Sequence, residues 1–126
     1  MDDSEFSIGI KDVKRIPVIT ELIENYFDGD LHAINGIAVR QPGSEFSQSV
    51  WKAMRKIPAG KTWSYSELAK KIGSPAAVRA VGTACGRNLI APIIPCHRVV
   101  KSGGAIGNYG YGVDVKKFLL RHENAL

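Results

Sequence analysis

The sequence predicts an α+β fold arranged around a helix-turn-helix, and three features predict it. Apolar residues recur at helical spacing in several separate stretches. Two short helical stretches meet at a glycine, Gly73. A run rich in β-branched residues, "CHRVV" from Cys96 to Val100, reads as strand. With 126 residues, the chain can hold one domain with a real core and a small appendage.

The elements follow in order. "IPVITELIENYFDG" places Val18, Leu22, Ile23, Tyr26 and Phe27 on one helical face, and Asp28-Gly29 stops it. "AVRQPGSEF" reads as a linker. It predicts an N-terminal segment, residues 1–40, ahead of a main domain, residues 41–126. "SEFSQSVWKAMRKI" is a second helix, burying Phe46, Val50, Met54 and Ile57, and Pro58-Ala59-Gly60 turns the chain. "SYSE" matches a capping box, with Ser64 at the cap and Glu67 three residues later. That helix ends at Gly73, and Ser74-Pro75 suggests a capping serine and a first-turn proline for the next one, "AAVRAVGTACG". The new helix offers small residues, Ala76, Ala77, Ala80, Gly82 and Ala84, and one long cation, Arg79. An ordinary helical hairpin is the commoner reading of such a pair. The small face shifts the balance toward a DNA reader, because it permits close approach to a groove while the arginine projects. "GNYGYG" (Gly107 to Gly112) is a glycine-aromatic loop, and "VDVKKFLLRHE" closes the chain as an amphipathic helix.

Composition narrows the function classes. Hydrophobic residues make up 44% of the chain, yet no run approaches the ~18 apolar residues of a membrane span. The opening "MDDSEFS" is acidic and lacks the features of a signal peptide, so a cytoplasmic protein away from membranes is expected. Net charge is +5, and basic residues dominate from Arg40 to Lys71. This suits a polyanionic partner and equally a plain solvated surface. Cys85 and Cys96 are the only cysteines. Their spacing makes no disulfide scaffold, zinc ribbon or C-x-x-C pair, so neither a metal nor a cofactor is expected.

Cys96 stands out because His97 follows it. A thiolate is the reactive form of cysteine, and a base must take the thiol proton. In an extended segment, however, neighbouring side chains point to opposite faces. A water relay between Cys96 and His97 is therefore the expected arrangement, with Glu123 as a candidate to orient the imidazole.

"PCHRV", "SYSELAKKIGSPAAVRAVG" and "GNYGYG" together resemble the methylated-DNA–protein-cysteine methyltransferases, the O6-alkylguanine-DNA alkyltransferases. The likeness runs from about Phe46 to Glu123, with several motifs in the family's order and spacing. It implies an alkyltransferase C-terminal domain preceded by a short, truncated N-terminal segment. It also implies a monomer acting on double-stranded DNA that carries O6-alkylguanine, with O4-methylthymine a further possible substrate. The alkyl group passes irreversibly to Cys96, once per molecule. By the same resemblance His97 takes the thiol proton through water, Glu123 orients His97, and Asn88 braces the active-site turn. Tyr65 assists departure of the guanine and helps rotate the nucleotide. Tyr109, Val99 and Gly110 form the base pocket, and Arg79 enters the base stack where the nucleotide leaves. Ser66, Ser74, Ser102 and the small residues Ala77, Ala80 and Gly82 fall against DNA. Gly110 stands where some members have serine, and the zinc ligands of some members have no cysteine counterparts near the N-terminus.

Two rivals differ in class. An alkyltransferase-like protein that flags the lesion without repairing it would lack the cysteine of the P-x-H-R motif, which is present here. A cysteine hydrolase would use Cys96 and His97 but leave the DNA-reading helices unexplained.

Overall fold

A short parallel ladder, two residues on each strand, lies directly after the cysteine turn. β1 (Trp63–Ser64) pairs with β2 (Val99–Val100), with Trp63 opposite Val99 and Ser64 opposite Val100. The computed structural model describes residues 16–107 and 109–126. The acidic opening stretch and Asn108 of the glycine-aromatic loop lie outside them. The chain divides into two compact units between Pro42 and Gly43.

In the first unit, α1 (Ile16–Phe27) ends at Asp28-Gly29. Its apolar stripe is buried only at the centre. Tyr26 is fully buried and Leu22 and Ile23 partly so, whereas Val18 and Phe27 are exposed. At the helical repeat, Val18 and Phe27 lie about 180° apart on the two edges of the stripe, so burial fades away from its centre.

The second unit begins with α2 (Glu45–Met54), capped by the Ser44 hydroxyl, which accepts from Ser47 N at 3.1 Å. Val50, Trp51 and Met54 are buried; Phe46 is only half-buried, and Ile57 is buried beyond the helix end. The Trp51 indole donates to Ala84 O at 2.9 Å and fastens α2 to α4 (Val78–Gly86). α3 (Tyr65–Lys71) starts directly after β1 with the predicted capping box. Glu67 N donates to Ser64 Oγ at 3.0 Å, and Ser64 N donates to Glu67 Oε1 at 2.9 Å. Gly73 ends this helical arm with φ 78°, a left-handed conformation that suits glycine.

α4 starts later than its local signal suggests. Residues 74–77 form a turn closed by Ala77 N to Ser74 O at 2.9 Å, and Ala77 occupies the cap position without a side-chain hydrogen bond. Ser74 is thus no helix cap. The Cys96–Arg98 stretch also differs from its strand reading: it is a 3₁₀ turn, and only Val99–Val100 is strand. Cys96 N bonds Ile94 O at 2.9 Å and Arg98 N bonds Pro95 O at 3.0 Å, which winds the chain tightly. α5 (Val113–His122) buries Lys116, Leu119 and Leu120, with Glu123 just past its end.

Replacing the α3 cap by Ser64→Ala should cost about 1 kcal/mol. Ser74→Ala should stay within about 0.5 kcal/mol of the parent. Urea unfolding of the two variants checks the contrast.

Candidate active site

The 3₁₀ turn aims three successive side chains differently. Cys96 lines a cavity of about 110 Å³, while His97 and Arg98 are buried. The Asn88 amide nitrogen donates to Cys96 Sγ at 3.3 Å and to Ile94 O at 2.8 Å. The Asn88 side-chain oxygen accepts from Ile90 N at 3.0 Å, so one residue cross-braces the stretch that ends in the thiol.

Behind the thiol sits a buried cluster. His97 Nε2 lies 2.9 Å from Glu123 Oε2. Arg98 grips the same carboxylate with two donors, Nε to Oε1 at 2.9 Å and Nη2 to Oε2 at 2.7 Å. Arg98 Nη1 also donates to Ile57 O at 2.7 Å. Burial lowers the His97 pKa; Glu123 opposes this, and the charges of Arg98 and Lys116 assist it. The ring is therefore neutral at pH 7. A carboxylate only accepts, so Nε2 carries the proton and Nδ1 is the basic nitrogen. Nδ1 is buried and meets no protein hydrogen-bond partner among the described residues.

Burial likewise raises the Cys96 pKa, while hydrogen bonding from Asn88 and Tyr109 and the charge of Lys116 work in the other direction. Tyr65 also lines the cavity, and burial pushes its hydroxyl pKa up, so it keeps its proton. Cys85 shares the wall, but burial first and then Cys96 push its thiol up to about 12. It therefore stays a packed thiol, 3.6 Å from Met54 Sδ.

Tyr109 and Gly110 contribute to the cavity wall, with Gly82, Gly86, Asn88 and Tyr111. Val99 is fully buried in β2. On the outer side, Arg79 and Ala80 are exposed on α4, while Ala77 and Ser74 are half-buried in the preceding turn. Ser66 Oγ and Ser102 Oγ approach to 3.1 Å, linking the start of α3 to the turn after β2.

Three residues of this neighbourhood are not among the site residues that the sequence predicts. Arg98 completes the carboxylate cluster. Tyr111 donates its hydroxyl to Asn88 O at 2.9 Å. Lys116 donates from Nζ to Val99 O and Ile106 O. A signal for Lys116 existed, since it shares the helical stripe of Leu119, Leu120 and Glu123. Among the described residues, no group of three or more His, Cys, Asp or Glu side chains could hold a metal ion, and no helix is long and apolar enough to cross a membrane.

Two consecutive short helices, α3 and α4, packed beside a braced, cavity-lining cysteine define the class of protein to compare with. Residues 45–125 match the family model of the 6-O-methylguanine DNA methyltransferase DNA-binding domain. The methylated-DNA–protein-cysteine methyltransferase of Methanosarcina acetivorans is 47% identical over 103 residues, covering 82% of this chain and 65% of the relative. A crystal structure of Mycobacterium tuberculosis OGT in complex with DNA superposes with TM-score 0.76 at 44% identity, covering 84% of this chain and 64% of that one. S. pombe Atl1, in complex with damaged DNA containing O6-carboxymethylguanine, superposes with TM-score 0.58 at 32% identity over 65% of this chain and 78% of that one. The chain belongs to the methylated-DNA–protein-cysteine methyltransferase family. It spans about two-thirds of the length of the Methanosarcina relative.

The shared carboxylate makes a stability prediction. Arg98→Met alone leaves Glu123 with less compensation and should cost about 3–5 kcal/mol. Adding Glu123→Gln should recover much of the loss, because no buried charge is then stranded. Urea midpoints of the single and double variants check this.

Proposed function

We propose that this chain repairs DNA by moving the alkyl group of O6-alkylguanine onto Cys96, once per molecule, as a monomer in the cytoplasm. One observation carries the reading: the Cys96 thiol lies on a cavity wall, held by Asn88, and the next residue in the chain is a histidine whose imidazole is already bound to a carboxylate. Family membership and the DNA complex of the mycobacterial relative support it.

The chemistry follows from these groups. Nδ1 of His97 takes the thiol proton through a water molecule, and Glu123 stabilises the imidazolium that forms. The thiolate sulfur bonds to the alkyl carbon while the bond from that carbon to O6 breaks. Its electron pair leaves with the guanine, which takes a proton from the Tyr65 hydroxyl; the tyrosinate regains a proton from solvent as the His97 imidazolium gives its own up to solvent. The product is a thioether. Water has no acyl carbon to attack there, so the sulfur is not regenerated.

The target oxygen is stacked inside a duplex, and extrusion costs a few kcal/mol. Arg79, exposed on α4, fills the gap in the stack and offsets part of that cost. Ala77, Ala80 and Gly82 let α4 approach a narrow minor groove, and Ser66, Ser74 and Ser102 meet the backbone nearby. Tyr109, Val99 and Gly110 receive the extruded base, with Val99 acting through its backbone.

Incubation with an O6-methylguanine duplex, followed by intact mass, should add one methyl per molecule, mapped to Cys96. Cys96→Ser should bind the duplex and gain none. Methyl on Cys85 in that variant sinks the assignment, binding without transfer by the parent favours a lesion flag, and repeated turnover favours a hydrolase.

Arg79→Ala tests extrusion separately. Its transfer rate should fall at least about tenfold on the duplex, for ~1.4 kcal/mol of lost support. Transfer from the free base O6-benzylguanine should change little. Equal losses on both substrates count against the extrusion role.

A further inference from the structure

Lys116 is a buried titratable group that the proposed reaction leaves unused. It sits on α5, fully buried, where lysine is rarely found unless its ammonium is engaged. Nζ donates to Val99 O at 2.7 Å and to Ile106 O at 2.6 Å. These carbonyls belong to different parts of the site. Val99 follows the Cys96–Arg98 turn directly, and Ile106 opens the glycine-aromatic loop that carries Tyr109. The ammonium also lies 5.9 Å from the Tyr109 ring centre. Gly107, at φ 78°, passes so close that a Cβ there would come within 3.8 Å of both Nζ and the Tyr65 ring.

We propose that Lys116 is a positioning residue of this site: its ammonium pins the Tyr109 loop to the strand behind Cys96 and holds a positive charge beside the cavity in which the thiolate forms. The inference deepens the alkyl-transfer reading and rests on it.

Both halves have a physical basis. A loop with glycines at 107, 110 and 112 has much backbone freedom to lose, and the charge-assisted hydrogen bond at its start, anchored by a second one to Val99 O on β2, offsets part of that cost. The charge acts on the chemistry because the two groups favour each other's ionised form. The ammonium lowers the Cys96 pKa against burial, and the thiolate raises the Lys116 pKa against burial. Tyr65, Cys85, Tyr109 and Tyr111 line the same cavity, and His97 stands behind the thiol with Glu123 and Arg98. Among these, Lys116 and Arg98 are the fixed cations, and Arg98 is already committed to Glu123.

The test uses full-length parent, Lys116→Met and Lys116→Gln. Labelling of Cys96 by iodoacetamide, read by peptide mass across pH, needs no DNA. Both variants should label with an apparent pKa about one unit higher, so labelling near neutral pH falls about tenfold while the alkaline plateau is kept. Methyl transfer from the duplex should fall further in Lys116→Met than labelling does, because the loop is released as well. An unchanged labelling profile in a folded variant overturns the proposal.

Should neither variant fold, the reciprocal measurement leaves the lysine in place. Carbon NMR of the Lys116 ε-methylene should show Cys96→Ser losing the ammonium proton about one pH unit below the parent. The same midpoint in both proteins overturns the proposal. A parent that gains no methyl from the duplex, yet shows these shifts, upholds the lysine's action on the thiol and overturns the repair reading.

Discussion

The carboxylate of Glu123 holds the site together. It accepts from His97 and from two nitrogens of Arg98, neighbours on one tight turn, and Arg98 also binds Ile57 O. The end of α5, the cysteine turn and the segment after α2 therefore converge on one buried point. Two consequences follow. His97 and Arg98 must both face inward, which leaves Cys96 to face the cavity. Arg98 also neutralises the carboxylate, so burial prevails at His97 and the ring stays neutral, able to accept a proton. Such a cluster contributes little net stability, since stripping water from two ions costs about what their attraction returns. Its effect is to specify geometry.

Helices α3 and α4 and the residues around Cys96 share one frame. The β1–β2 ladder sets Tyr65, first residue of α3, beside the strand that follows the cysteine turn. Trp51 ties α4 to α2 through Ala84 O. Asn88, just past α4, reaches the thiol with its side chain and accepts the Tyr111 hydroxyl with its backbone carbonyl. A displacement of α4 would therefore be felt at the sulfur within a few bonds. The glycine-aromatic loop is tethered at both ends of this frame, by Lys116 near Ile106 and by Tyr111 at Asn88.

Local signals succeeded where the competing interactions are local too. The Ser64–Glu67 box involves four consecutive residues and nothing distant can displace it cheaply. The Ser74-Pro75 signal failed although it is also local, because a turn closing at Ala77 takes the same backbone donors a cap would satisfy. "CHRVV" was read from β propensity, yet hydrogen bonds to Ile94 and Pro95 wind its first three residues. Propensity describes a pleated surface, and these three residues have no strand partner.

By itself the sequence determined the helical periods, the capping box, the motif order that marks the family, and the residue types available for chemistry. Each depends on neighbours a few positions away, or on patterns that survive without coordinates. Only the tertiary structure decided that Arg98 shares Glu123 with His97, that Lys116 is enclosed, and that Tyr111 reaches Asn88. Those pairs are separated by 10 to 26 positions along the chain. Charged and polar side chains of that kind read as surface residues until packing removes their water and obliges them to find partners.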